Sequence, residues 1–197
     1  MTAEAEQHTP AERRLHERRS DLRHRLRVSA LYHQRRSRFF DICDKVSTAY
    51  AVLASTAAVS QLFSEYAVAG RPIEVALGAS VALISTIALV AGYSNRARDH
   101  FALAGDYRKV LAQLEAAGDW PDVELIDKLF AEYTTIESRE PAPMTTLVQA
   151  CENHLNIADK GEVVPIPSYQ RLLMQVWDFK PIVPQSKRSE DSLDPKN

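Results

Sequence analysis

The residues with the types to do chemistry are few, and their spacing does not assemble a reactive centre. His16-Glu17 begins the helical pattern in which two histidines hold zinc and a glutamate acts as base, but position 20 is Ser20 where the second histidine is required. Cys151 and His154 share one helix face, yet a metal site needs more ligands and none lie at suitable spacing. Asp99, His100 and Asp106 lie close together in the chain with no nucleophile beside them. The six glycines are scattered, so no Gly-rich phosphate loop is present. This pattern argues against an enzyme and requires neither metal nor cofactor.

What remains to be positioned is apolar. Two stretches, Val46–Ser64 and Val75–Asn95, contain no charged side chain. Each is about 20 residues, the length a helix needs to cross a hydrocarbon core about 30 Å thick. Residues 65–74 (EYAVAGRPIE) lie between them and carry Gly70 and Pro72, which suit a turn. The expectation is a transmembrane helical hairpin with a 65–74 external loop. The second stretch is the more hydrophobic. The first carries Ser47, Thr48, Ser55, Thr56, Ser60, Gln61 and Ser64, whose hydroxyls are tolerable in lipid if they bond their own helix's carbonyls. A buried hairpin inside a soluble helical protein is the competing reading.

Basic residues set the expected orientation. Arg35, Arg36, Arg38 and Lys45 precede the first stretch, and Arg96, Arg98, Arg108 and Lys109 follow the second, while the loop holds only Arg71. Four and four against one predicts that both termini are cytoplasmic, because Lys and Arg near span ends stay on that side. Arg35, Arg36, Arg38, Lys45, Arg96 and Arg98 are the candidates for the membrane surface.

The remaining composition fits one modest helical chain. Over 197 residues the net charge is -2, which gives no argument for nucleic acid. A mean hydropathy of -0.27 is expected if only the two apolar stretches are in lipid. Cys43 and Cys151 both fall on the expected cytoplasmic side, where thiols stay reduced. The first apolar run lies too far along the chain to read as a signal peptide.

Taken in order, residues 1–10 read as a disordered start and 11–45 as a basic cytosolic helix, with Thr9 and Pro10 as start signals. Leu15, Leu22, Leu26 and Ser29 form a thin apolar seam in that helix. Around it sit Arg13, Arg14, Arg18, Arg19, Arg23, Arg25 and Arg27. Three readings of these arginines compete: a solvated helix paired to Glu12, Glu17 and Asp21, a helix on anionic headgroups, and nucleic-acid binding. No Pro or Gly separates this helix from the first apolar stretch, so one helix is expected to run from one into the other.

Residues 96–180 read as a cytosolic helical region. Helix is expected to continue from Arg96 with Leu103, Tyr107, Val110, Leu111 and Leu114 on one face, stopping at Gly118. Asp119-Trp120-Pro121 opens the next, with Val123, Ile126, Phe130, Tyr133 and Ile136 as its buried stripe, ended by the prolines of 140–143 (EPAP). Thr145 or Thr146 is expected to cap a third helix through Leu147, Val148, Cys151, Leu155 and Ala158, closed by Gly161. Tyr169, Leu172, Leu173, Val176 and Trp177 fall on one side of a last short segment, expected to dock against the cytosolic helices in preference to lying at a membrane interface. Residues 181–197 read as a disordered tail.

The fold expected is therefore all-α: a two-helix transmembrane hairpin, a long N-terminal helix and a cytosolic bundle of amphipathic helices. Within the apolar stretches, Ser47, Ala51 and Ser55 are four apart, as are Ala54 and Ala58, Gly78 and Ala82, and Ala88 and Gly92. Small residues at this spacing let helices approach closely in lipid, so with Ser60 they are candidates for hairpin packing, oligomerisation or a pore. The Ser and Thr positions form no single narrow stripe, so a water-lined pore does not follow from them.

The layout resembles the SLATT domain family, two-transmembrane effectors associated with bacterial nucleotide-signalling and conflict systems. The resemblance covers about residues 30–160. It rests on 30–40 (ALYHQRRSRFF), the two close apolar stretches, 96–115 (RARDHFALAGDYRKVLAQLE) and 131–143 (AEYTTIESREPAP). It implies a homo-oligomeric, pore-forming or membrane-disrupting effector of the bacterial inner membrane that limits phage spread. The activating signal would come from a separate sensor or nucleotide-signalling protein. A membrane-anchored scaffold or tether whose cytosolic helices bind a partner, and a soluble helical interaction protein, are the alternatives.

Overall fold

A computed structural model describes residues 9–62, 71–119, 122–159 and 161–179, with side chains described outside 57–75. The described residues are helical with no strand. In chain order the helices are α1 (Pro10–Leu62), α2 (Arg71–Ala91), α3 (Tyr93–Ala116), α4 (Val123–Glu137), α5 (Thr145–Ala158) and α6 (Ser168–Leu173). The chain divides into two compact units, one of Met1–His33 with Leu103–Asn197 and one of Gln34–Ala102.

The start of α1 is a reciprocal cap. The Thr9 backbone N–H donates to Glu12 Oε2 at 2.7 Å and the Glu12 N–H donates to Thr9 Oγ1 at 3.2 Å. Two of the first turn's orphan donors are thereby satisfied, and Pro10 between them has no N–H to satisfy. No further Pro or Gly follows until Gly70, so the hydrogen-bond ladder of α1 runs unbroken through 53 residues, as the sequence predicts.

In the first unit α1 offers two apolar faces. Leu22, Leu26 and Ala30 pack with Tyr107, Val110 and Leu114 of α3 and Ile126, Leu129, Tyr133 and Ile136 of α4. Steps of three and four bring each set onto one stripe, so three helices close one core. Val28 and Tyr32 lie two residues out of step with that stripe and turn to α5, packing with Leu147, Cys151 and Leu155. The expected seam accounts for the first face of α1, and its second face was not anticipated. The stripe of α4 is also shifted: Phe130 is 39% exposed and Val123 is exposed, while Leu129 is fully buried. A step of three from Ile126 reaches the centre of the core, where a step of four reaches its edge.

Helix ends follow local chemistry with two departures. Gly118 lies just past α3 at φ +72, the left-handed conformation that ends helices, as expected. Trp120 and Pro121 lie outside the described residues, and Asp122 is the N-cap residue of α4 without a side-chain capping bond. Neither Thr145 nor Thr146 caps α5. Met144 stands at the N-cap, and the Thr145 N–H donates to Asp178 Oδ1 at 2.8 Å. A carboxylate 33 residues away thus takes the place of a local cap.

In the second unit, helix begins at Arg71, four residues ahead of the expected boundary, and is punctuated between Ala91 and Tyr93. Gly92 adopts φ +61, and a Cβ there would meet nothing within 4 Å. The backbone conformation, and not close approach of a neighbour, is what calls for glycine at this position. Ser37 Oγ donates to Ala97 O at 2.9 Å, tying α1 to α3 within the unit.

Because Leu129 is buried and Phe130 lies at the core's edge, Leu129→Ala is expected to destabilise the first unit by about 2–5 kcal/mol and Phe130→Ala by less than half as much. Thermal unfolding of the full chain in detergent, followed by circular dichroism, measures the difference. Equal losses would contradict the assigned stripe.

Candidate functional site

The apolar surface of the second unit faces outward. Leu53, Leu83, Leu89 and Val90 are 71%, 62%, 83% and 81% exposed, and Ile42, Val46, Val52 and Ile87 are exposed as well. The helical stretch Ala76–Ala116, read through Gly92, is long and apolar enough to cross a membrane, and none of its apolar window is buried. Much of the other stretch, Val46–Ser64, lies outside the residues whose side chains are described.

Four hydroxyls of these stretches are satisfied within their own helices. Ser47 donates to Asp44 O at 2.9 Å, Thr56 to Val52 O at 2.8 Å, Ser80 to Leu77 O at 2.8 Å and Thr86 to Ala82 O at 2.7 Å. Tyr50 lies 2.6 Å from Ser80 Oγ, linking the two stretches. Since the Ser80 proton is directed at Leu77, Tyr50 is the donor.

The small residues separate into groups. Ser47, Ala51, Ala88 and Gly92 line a groove of about 420 Å³ between α1 and α2, together with Asp44, Thr48 and Ser85. Ala54 is buried, whereas Ser55, Gly78 and Ala82 are exposed. A Cβ at Gly78 would meet nothing within 4 Å, so Gly78 makes no close contact inside the chain. Ala58 and Ser60 lie outside the described side chains.

Several basic residues expected at a membrane surface hold protein groups. The Arg36 guanidinium stands 4.5 Å from the Phe40 ring centroid and Arg96 stands 5.8 Å from it. His100 stacks on Phe40 at 5.6 Å and Tyr93 at 6.3 Å. This aromatic and cationic cluster joins α1 to the start of α3. Lys45 pairs with Asp41 at 2.7 Å, and Arg98 reaches Ser94 O, Ser94 Oγ and Asn95 Oδ1 of its own helix. Arg38 is exposed and Arg35 half-buried.

Several arginines of 11–33 are engaged by carboxylates. Arg18 pairs with Asp127, Arg23 with Glu115, Arg25 with Asp21 at 2.9 Å and Arg27 with Asp159 at 3.2 Å. Arg19, itself buried, lies 3.6 Å from Asp119. Asp21 is one of the expected intrahelical partners. The other carboxylates named here come from neighbouring elements of the first unit. Each exposed pair contributes about 0.2–1 kcal/mol, so their role is to orient helices more than to stabilise them.

A buried polar cluster lies in the first unit. Nε2 of His33, which is fully buried, is 2.7 Å from Glu140 Oε1. A carboxylate only accepts, which places the proton on Nε2. The His33 ring stacks on Tyr107 at 5.8 Å and meets Tyr32 edge-on at 5.1 Å. Tyr133 donates to Glu137 Oε1 at 3.1 Å. Burial first, and the Glu140 carboxylate second, raise Tyr107 far above the ordinary tyrosine range. Burial and Glu137 raise Tyr133 in the same way. The cluster draws Tyr32 and His33, Tyr107, and Glu137 and Glu140 from three widely separated stretches of the sequence. In the sequence Glu140 stands only as part of a helix stop. A buried histidine partner for it could not be seen without the fold.

Among the described residues no group of three or more His, Cys, Asp or Glu side chains is placed to hold a metal ion. Cys151 is fully buried and His154 exposed, so the pair on one face divides between core and surface. Leu103 and Leu111 are partly buried against the core that holds Tyr107, Leu114, Ile126 and Tyr133. Comparison with protein families, with curated proteins and with solved structures gives no match to this chain.

Tyrosines with raised folded-state pKa values stabilise the fold fully below the unfolded value of about 10, and that stability is lost as pH rises past it. Tyr107→Phe is therefore expected to flatten the loss of stability above about pH 10 and to remove one late step from the tyrosinate absorbance titration. A titration in which every tyrosine ionises together near pH 10 while the helices remain intact would contradict the assigned environment.

Proposed function

We propose that the protein is an effector of the bacterial inner membrane that assembles through its apolar helices to form a pore or disrupt the bilayer in anti-phage defence. The observation that carries this reading is the outward-facing apolar surface of α1 and α2, where a core helix of a soluble protein would face inward. The two apolar stretches form a membrane hairpin, and the four-and-four-against-one bias of basic residues puts both termini in the cytoplasm. Internal satisfaction of the hydroxyls supports the same reading, since lipid offers them no partner. The SLATT resemblance supplies the defence role and the separate sensor or nucleotide-signalling protein that would trigger it.

Gly78 offers a clean test of assembly. It is exposed, and a Cβ there meets nothing within 4 Å, so a larger side chain there is aimed at contacts between copies. Expressed wild-type protein is expected to depolarise the inner membrane, read with a potential-sensitive dye. Gly78→Leu is expected to insert equally and to lose both crosslinked oligomers and depolarisation. A membrane-anchored scaffold predicts an unchanged membrane potential with either form.

A further inference from the structure

Both apolar stretches line the groove between α1 and α2. Its polar lining comes from Asp44, Ser47 and Thr48 on one side and from Ser85, Ser94 and Asn95 on the other, with Ala51, Ala88 and Gly92 leaving space between them. Neither stretch alone shows a narrow polar stripe, because the two share one. At about 1.5 Å of rise per residue, the lining from Asp44 to Val52 extends about 12 Å along α1, from the expected headgroup level towards the middle of a core about 30 Å thick. Hydroxyls inside and outside the groove differ. Thr56 and Thr86, outside it, each donate to a carbonyl of their own helix, at 2.8 and 2.7 Å. Ser47, inside it, donates to Asp44 O, whereas Thr48 and Ser85 make no hydrogen bond to a protein group among the described residues. A hydroxyl without a partner in lipid is costly, so these two call for water. The groove of about 420 Å³ has room for on the order of ten waters at about 30 Å³ each.

Asp44 is half-buried and is the charged side chain that lines the groove. Of the cations nearby, Lys45 is taken up by Asp41, and Arg98, which bonds Ser94 and Asn95, is exposed. Salt screens an exposed charge more than a half-buried one, so the Asp44 carboxylate dominates inside the groove. We propose that the groove is water-filled in the membrane and that Asp44 makes it a path for small cations, in preference to anions, into the cytoplasmic half of the hairpin. The proposal rests on the membrane hairpin proposed above and names what the hairpin admits.

Single cysteines test this in the full-length protein carrying Cys43→Ser, reconstituted in lipid nanodiscs, with the buried Cys151 common to every variant. Ala51→Cys, Ser85→Cys and Ala88→Cys sample the groove, and Leu83→Cys and Val90→Cys sample the outward surface. Each is reacted with a cationic and an anionic methanethiosulfonate, and each rate is normalised to that of a free thiol. Groove positions are expected to react about tenfold faster than outward ones, because the reactive thiolate needs water. At Ser85→Cys and Ala88→Cys the cationic reagent is expected to lead the anionic one about threefold. Asp44→Asn is expected to abolish that lead and Asp44→Glu to keep it. Groove positions as slow as Leu83→Cys would show acyl chain or protein filling the groove, which overturns the proposal while the hairpin stands. Fast reaction at Leu83→Cys and Val90→Cys as well would overturn the membrane reading and the proposal with it. A lead that survives Asp44→Asn would overturn the role given to Asp44.

Discussion

Leu53, Leu83, Leu89 and Val90 turn outward from their helices, and among the described residues nothing is arranged to cover them. Removing a side chain of this size from water is worth about 1.5–3 kcal/mol, so several left in water together would forgo more than a typical margin of stability. This surface fixes what its neighbours can be. Polar atoms within it must be satisfied locally, and Ser47, Thr56, Ser80 and Thr86 each bond a carbonyl three or four residues back. Charges withdraw to its ends, where Arg36 and Arg96 rest on Phe40 and Lys45 on Asp41.

The first unit is arranged the other way. Its apolar stripes face inward, onto Leu22 and Leu26 on one side of α1 and Val28 and Tyr32 on another. Its arginines meet carboxylates from α3, α4 and the end of α5, which leaves that arginine-rich surface much less cationic than its sequence suggests. Headgroup or nucleic-acid binding by this stretch would have to compete with those pairs. The His33–Glu140 contact is of another kind. A buried pair that loses one partner leaves an uncompensated polar group, so it fixes the approach of the EPAP segment to α1 even if its net stabilisation is small.

Features governed by local chemistry were legible in the sequence. Thr9 and Pro10 begin α1, Gly118 ends α3, and the absence of Pro and Gly between 11 and 62 gives one unbroken helix. Leu22, Leu26, Tyr107, Leu114, Ile126 and Tyr133 were legible because periodicity reports directly on the buried face. What depends on tertiary placement was not. Periodicity alone cannot choose between Leu129 and Phe130 beside Ile126. The α5 cap comes from Asp178, and arginine partners come from helices about a hundred residues away. Gly92 read as a small packing residue because spacing carries no sign of a positive φ.

The outward surface of α2 can be probed residue by residue. Spin labels placed singly along 79–91 in the reconstituted full-length protein report collision with oxygen, which partitions into lipid, and with a water-soluble nickel complex, which does not. At Leu83, Leu89 and Val90 the expected result is high oxygen access and negligible nickel access, with Leu83 the deepest. High nickel access at these positions would show a surface in water. Exclusion of both reagents would show one buried in protein. Either outcome contradicts a lipid-facing helix.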